Sequence, residues 1–197
     1  MSSTKTKKDS KSSTESLSLE AQRAAFTGRR FLAMPLAGLI CWTIVGIGSH
    51  FLSLYLSAML LFAATGSIVY LAMLISRFTG ETFFHKDKNP FDRLFFHGLV
   101  QAVLVYSIAI PFFLVDYNSL PLTVGILTGL MWIPFSWIIQ HWVGIFHSFV
   151  RTLLIVTVWY LFPQHSFIAI PIVVVGIYIV TIVVMEKRWQ QLQASAN

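Results

Sequence analysis

The sequence predicts an all-α, polytopic integral membrane protein: six transmembrane helices arranged as three hairpins, with both termini cytoplasmic. Three observations carry that expectation. Of 197 residues, 56% are hydrophobic and only 11% charged, against about 25% charged in an ordinary soluble domain. The apolar residues gather into runs long enough to cross a bilayer core, which takes about 20 residues at about 1.5 Å each. The third is the placement of positive charge. Six spans leave seven flanking segments. The segment up to Arg30 holds seven Lys and Arg, the loop 77–93 four, the region 140–151 one and the C-terminus two. The turns near His50, Asp116 and Gln164 hold none. All fourteen basic residues therefore fall on one side, which the positive-inside rule assigns to the cytoplasm.

The same asymmetry accounts for a pI of about 9.7, so nucleic acid is not an expected partner. The lipid bilayer is, in the cell (inner) membrane. The single cysteine, Cys41, lies inside an apolar run. It can make no internal disulfide and no cysteine-based zinc site.

Residues 1–20 are rich in Ser, Thr and Lys and bury too little to offset ordering entropy, so they read as a disordered polar tail. Residues 21–30 read as an interfacial segment. Ser18 is an N-cap candidate, Glu20 sits in the first turn, and Gly28 is placed to end the helix. Arg29 and Arg30 then anchor a transmembrane domain over 31–188.

The first span is expected at Phe31–Ile47, with Gly48-Ser49-His50 as a minimal turn. The second runs Leu52–Ser76, with a small-residue face for packing within the bundle. Residues 77–93 form the one substantial loop, with turn signals at Gly80 and Asn89-Pro90. The third span is Leu94–Leu114, with Pro111 placed to kink its far end. The sixth is Phe167–Met185, which is dominated by β-branched residues and reads as lipid-facing or structural. A polar tail, 189–197, closes the chain.

The most informative stretch is Leu120–Phe162. Its 43 residues make two crossings with almost nothing left for a loop. The favoured split is Leu120–Ile139 and Val143–Phe162, turning at Gln140-His141-Trp142. Pro134 should free a carbonyl near Leu130. Arg151 then lies eight residues into the fifth span, about 12 Å deep. A guanidinium at such depth costs about 2.5–3.5 kcal/mol on insertion scales, so an acidic or bound-anion partner is expected, with Asp92 or Glu81 nearest by topology. The alternative places the turn at 140–147 and lets Arg151 snorkel to the headgroups.

The candidate site collects the polar groups at the cytoplasmic half of spans three to five: Arg151, His147, His141, Gln140, Gln101 and His97, bordered by Trp137. Arginine offers a fixed charge and a planar fork of donors that suits carboxylate or phosphate. Histidine changes protonation near neutral pH. The competing reading is an interfacial belt of aromatic and polar residues. No metal, cofactor or catalytic residue is expected. The histidines lack metal-binding spacing, HEXXH and GxSxG are absent, and no lysine lies in a span.

Two function classes remain. One is transport or permeation of a small solute, an anion being the favoured case, with His147 or His141 coupling to protons. The other is a non-catalytic scaffold or subunit, as a homo-oligomer or with a partner membrane protein. Burial of Arg151 discriminates between them.

Overall fold

A computed structural model describes residues 18–82 and 89–196. The expected disordered tail lies almost wholly outside them, as does part of the loop at 77–93. The described residues are all-helical, with no strand. In order they form α1 (Leu19–Thr27), α2 (Ala33–Phe51), α3 (Leu54–Thr79), α4 (Pro90–Leu104), α5 (Tyr106–Val115), α6 (Ser119–Gly129), α7 (Trp132–Ile139), α8 (Val143–Leu161), a 3-10 turn (Pro163–His165) and α9 (Ser166–Ala196). Among the described residues six spans are long and apolar enough to cross a membrane. They are α2, α3, α4 with α5, α6 with α7, α8, and the 3-10 turn with α9.

Local chemistry sets these boundaries. Ser18 caps α1 by accepting the Ala21 amide at 3.2 Å, and Gly28 follows its last turn. Asn89 caps α4 through the Phe91 amide at 2.9 Å, with Pro90 in the first turn, where a missing N–H costs least. Gly48-Ser49-His50 is not a turn. The helix continues through Phe51, and Leu52-Ser53 makes the reversal. Nothing at 48–50 removes a backbone donor, so the α2 ladder is free to run on. The third span is divided at Val105 into α4 and α5, though Val105 keeps helical dihedrals, and Pro111 stays inside α5.

The break in the fourth span follows from Pro134. With no N–H there, Leu130 O accepts from Ile133 N at 3.1 Å. Ile133 is thereby diverted from its α-helical acceptor, Gly129 O, which instead receives the Ser148 hydroxyl at 2.8 Å. The turn after α7 falls at Gln140-His141-Trp142, as the length of the stretch requires. Gln140 adopts the left-handed conformation, φ 51°, which closes a helix end abruptly. A Cβ on Gly144 would stand 2.2 Å from Trp132 O, so glycine lets α8 fold straight back against α7.

α2 packs on α3 and α9, α9 on α8, and α8 on α6 and α7. α4 packs on α1, α5 and α7. The core runs through Trp42, Val45, Leu120, Val124, Ile155 and Ile170. Facing outward are Val115, Tyr160, Leu153 and Ile172, all exposed, an apolar belt suited to hydrocarbon.

One end of the bundle carries the charge. There Arg29 pairs with Asp92 at 2.5 Å and Arg30 with Glu186 at 2.8 Å. Two further arginines strap α1 across this end. Arg23 donates to the carbonyls of Trp137 and Ile138, and Arg188 to those of Thr27 and Ile139. They satisfy carbonyls that the end of α7 leaves without intrahelical donors.

Candidate functional site

Arg151 and His147 lie in the bundle interior, both with zero exposure. They sit one helical turn apart on α8, and Arg151 Nη1 donates to His147 Nε2 at 3.1 Å. Nη1 also donates to the Tyr178 hydroxyl at 3.4 Å, and Nη2 to Thr128 Oγ1 at 3.2 Å. The guanidinium carbon lies 5.7 Å from the Trp42 ring centre and 5.4 Å from that of Tyr178.

Hydroxyl bookkeeping fixes the direction of these bonds. Thr181 gives its one proton to Ile177 O at 2.8 Å, so at 2.8 Å it can only accept from His147 Nδ1. His147 Nε2 therefore offers its lone pair to Arg151. Thr128 gives its proton to Val124 O at 2.6 Å and is likewise an acceptor for Arg151. The ring of His147 is held in place by stacking on Trp132, with ring centres 4.4 Å apart, and its two hydrogen bonds fix the tautomer. A proton on Nε2 would set one donor against another, so this histidine is built as a bond acceptor rather than a proton carrier.

The expected acidic partner of Arg151 is not there. Asp92 is engaged by Arg29. Glu81 accepts the Leu32 and Ala33 amides, both at 3.0 Å, at the start of α2. Each acid is consumed at the charged end of the bundle. Among the described residues every bond that Arg151 makes is to a neutral group, and its Nε–H has no partner. Among the described residues the guanidinium thus stands in the interior with neutral acceptors alone.

A cavity of about 360 Å³ adjoins this cluster. Arg29, Arg30, Glu81 and Asp92 line it toward the charged end. Its walls are apolar, with Phe31, Phe95, Trp132 and Phe135 forming an aromatic side. Its inner end is lined by Thr65, Tyr106, Thr128 and Tyr178. Two of these four, Thr128 and Tyr178, are the direct acceptors of Arg151. Thr65 spends its proton on Leu61 O at 2.6 Å and lies 2.5 Å from the Tyr106 hydroxyl, so Tyr106 is the donor in that pair. Tyr178 differs. It accepts from Arg151, and its own proton has no acceptor among the described residues.

The other expected site residues lie elsewhere. His97 and Gln101 are on the exposed face of α4, with His97 Nδ1 held 2.6 Å from Arg93 O. The cavity face of that helix is Phe95, Leu99, Ala102 and Val103. Gln140 is exposed in the turn, and Trp137 is 62% exposed beneath Arg23. His141 is half-buried at the same turn, where burial and then the Arg188 charge hold its imidazole below the usual value. Of the seven residues, Arg151 and His147 alone come together.

Sequence reading missed Tyr178, Thr181 and Trp42. It set the sixth span aside as lipid-facing or structural, yet α9 supplies two polar partners of the site. The available signal was that Tyr178 and Thr181 are three apart and so share a helix face. Glycines make the approach feasible. A Cβ on Gly38 would stand 2.4 Å from Tyr178 Cζ, and one on Gly129 would stand 3.1 Å from Arg151 Cδ.

Among the described residues no cluster of three His, Cys, Asp or Glu is placed to hold a metal. A family model described as "Family of unknown function (DUF7010)" matches residues 19–188. No curated protein and no solved structure matches the chain.

Proposed function

The chain belongs to the DUF7010 family of unknown function, and from its interior geometry we propose that it conducts a small anionic solute through the bundle. The carrying observation is Arg151: fully buried, without an acid among the described residues, and bonded to two residues that line a cavity. A lone buried charge is costly and attracts a counterion. An anion in the inner end of the cavity meets that need. The guanidinium attracts it, while Tyr178 presents a hydroxyl proton to it.

The charged end is the cytoplasmic end on this reading, with three helical hairpins and both termini on that side. The one-sided distribution of Lys and Arg supports this. The membrane is then the cell (inner) membrane. The scaffold alternative calls for a filled bundle with Arg151 at the interface. A 360 Å³ cavity beside a fully buried Arg151 speaks for conduction instead.

The test is flux of small monocarboxylates into proteoliposomes carrying the wild type or Arg151→Gln. Wild-type vesicles should take up the anion faster than empty ones, and the variant should not. Equal flux in the two proteins, or none above empty vesicles, removes the reading.

A further inference from the structure

The cavity touches the outer surface of the bundle at a place that says what enters it. Val103 lines the cavity and is also 63% exposed. Gly66, across from it on α3, lines the cavity and is exposed, with open space where a Cβ would stand. These two positions lie within the spans, in the belt of exposed apolar residues such as Tyr70, Val100 and Leu104. α4 takes its packing from α1, α5 and α7, which leaves its approach to α3 loose at this level. The opening between α3 and α4 therefore faces hydrocarbon rather than water.

Beyond the opening the walls are apolar, and the inner end is not. The volume lies at the low end of the range for small-molecule sites, about 300–1,000 Å³. The Tyr178 hydroxyl proton has no acceptor among the described residues, and the charge behind it is Arg151 at 3.4 Å. Tyr178 is itself 7% exposed. The paired charges at the opposite end, Arg29 with Asp92 and Arg30 with Glu186, are already neutralised.

We propose that the cavity binds a lipophilic monocarboxylic acid, which passes between Gly66 and Val103 and sets its carboxylate against Tyr178 in the field of Arg151. This rests on the anion reading of Arg151 and narrows it to a substrate class. The apolar body lies against the aromatic side formed by Phe31, Phe95, Trp132 and Phe135, and the carboxylate offsets the Arg151 charge, which has no acid partner among the described residues. The same acid reaches the opening from the bilayer or, after partitioning, from the aqueous phase.

The test is calorimetric titration of the protein in phosphatidylcholine nanodiscs, with empty discs subtracted. The probes are decanoate, acetate and decanol. Decanoate should bind at least about tenfold more tightly than either of the others, the scale of one charge-assisted contact. Arg151→Met should bring decanoate down to the level of decanol. Tyr178→Phe, a milder change, should weaken decanoate and leave decanol alone. Gly66→Leu, whose Cβ meets no atom within 4 Å, should weaken decanoate loaded in the bilayer. Decanoate added from water reaches the opening after partitioning, so the variant should hinder it too, and decanoate binding unchanged in the variant by either route would overturn entry between Gly66 and Val103. Acetate binding as well as decanoate overturns this inference but leaves the anion reading standing. Decanol matching decanoate, or Arg151→Met binding decanoate like wild type, overturns both.

Discussion

Arg151 and His147, one turn apart on α8, share a 3.1 Å bond in which the arginine donates and a neutral ring nitrogen accepts. The relationship is unusual for its lack of a carboxylate. A buried ion pair that loses one partner strands the other charge, which costs about 3–5 kcal/mol. Here removal of the arginine strands no charge.

Arg151→Met is accordingly expected to fold. It gives up bonds to three neutral acceptors, each about 1.5–3 kcal/mol for a charged donor, and against that it removes the desolvation cost of a lone buried guanidinium, several kcal/mol in itself. The melting temperature in nanodiscs should stay within a few degrees of wild type or rise, while anion binding disappears. A large fall in melting temperature would show that Arg151 is retained for structure rather than for a solute.

How far the sequence carried this site depends on which residues are considered. The tight turn that carries Arg151 into the bundle was legible, because 43 residues crossing twice leave no slack, and Gln140 closes that turn in a left-handed conformation. His97 and Gln101 share a polar stripe with Arg93, but periodicity does not say whether such a stripe looks into the bundle or out of it, and here all three are exposed. Tyr178 and Thr181 were overlooked because a phenol and a threonine in a β-branched span look like packing residues. Their role emerges only when α9 lies beside α8, a pairing that no local pattern encodes.

Two glycines should respond differently to alanine. The Cβ of Gly38→Ala meets the Tyr178 ring at 2.4 Å, and the ring is held by His147, with centres 5.0 Å apart. Overpacking of about 1–3 kcal/mol is expected, more than the helix-propensity gain of about 1 kcal/mol. Gly129→Ala meets the flexible stem of Arg151 at 3.1 Å. The stem can give way, so stability should change by less than about 1 kcal/mol, while anion affinity falls as the guanidinium shifts. Thermal melts and titrations on both variants check the contrast. Equal loss of stability in the two would contradict it.

Ser148 and Pro134 should prove energetically coupled. Ser148→Ala strands the Gly129 carbonyl in the interior, at about 1–3 kcal/mol. In a Pro134→Ala background the new amide at 134 is free to bond Leu130 O. Ile133 N then returns to Gly129 O, and Ser148 is no longer needed there. The double-mutant cycle should show a coupling of at least about 0.5 kcal/mol. Strict additivity would mean that the α6–α7 break does not depend on the proline.

Glu81 should impose a pH dependence on stability at the charged end. Burial, the largest influence, raises its carboxyl above the usual value despite bonds from Thr79, Ala33 and Leu32 and the Arg30 charge. The folded protein therefore holds this proton more tightly than the unfolded chain. The resulting stabilisation is complete below the ordinary glutamate value of about 4.3 and is lost as pH rises through the raised folded value. Glu81→Gln keeps an oxygen for the Leu32 and Ala33 amides but has no proton to lose. Between about pH 4 and about pH 7, the wild-type melting temperature should fall relative to that of Glu81→Gln, and the difference between the two cancels every other titrating group. Parallel melting curves across that range would mean that Glu81 titrates as it does in water, and that the start of α2 is capped without any cost of burying the carboxylate.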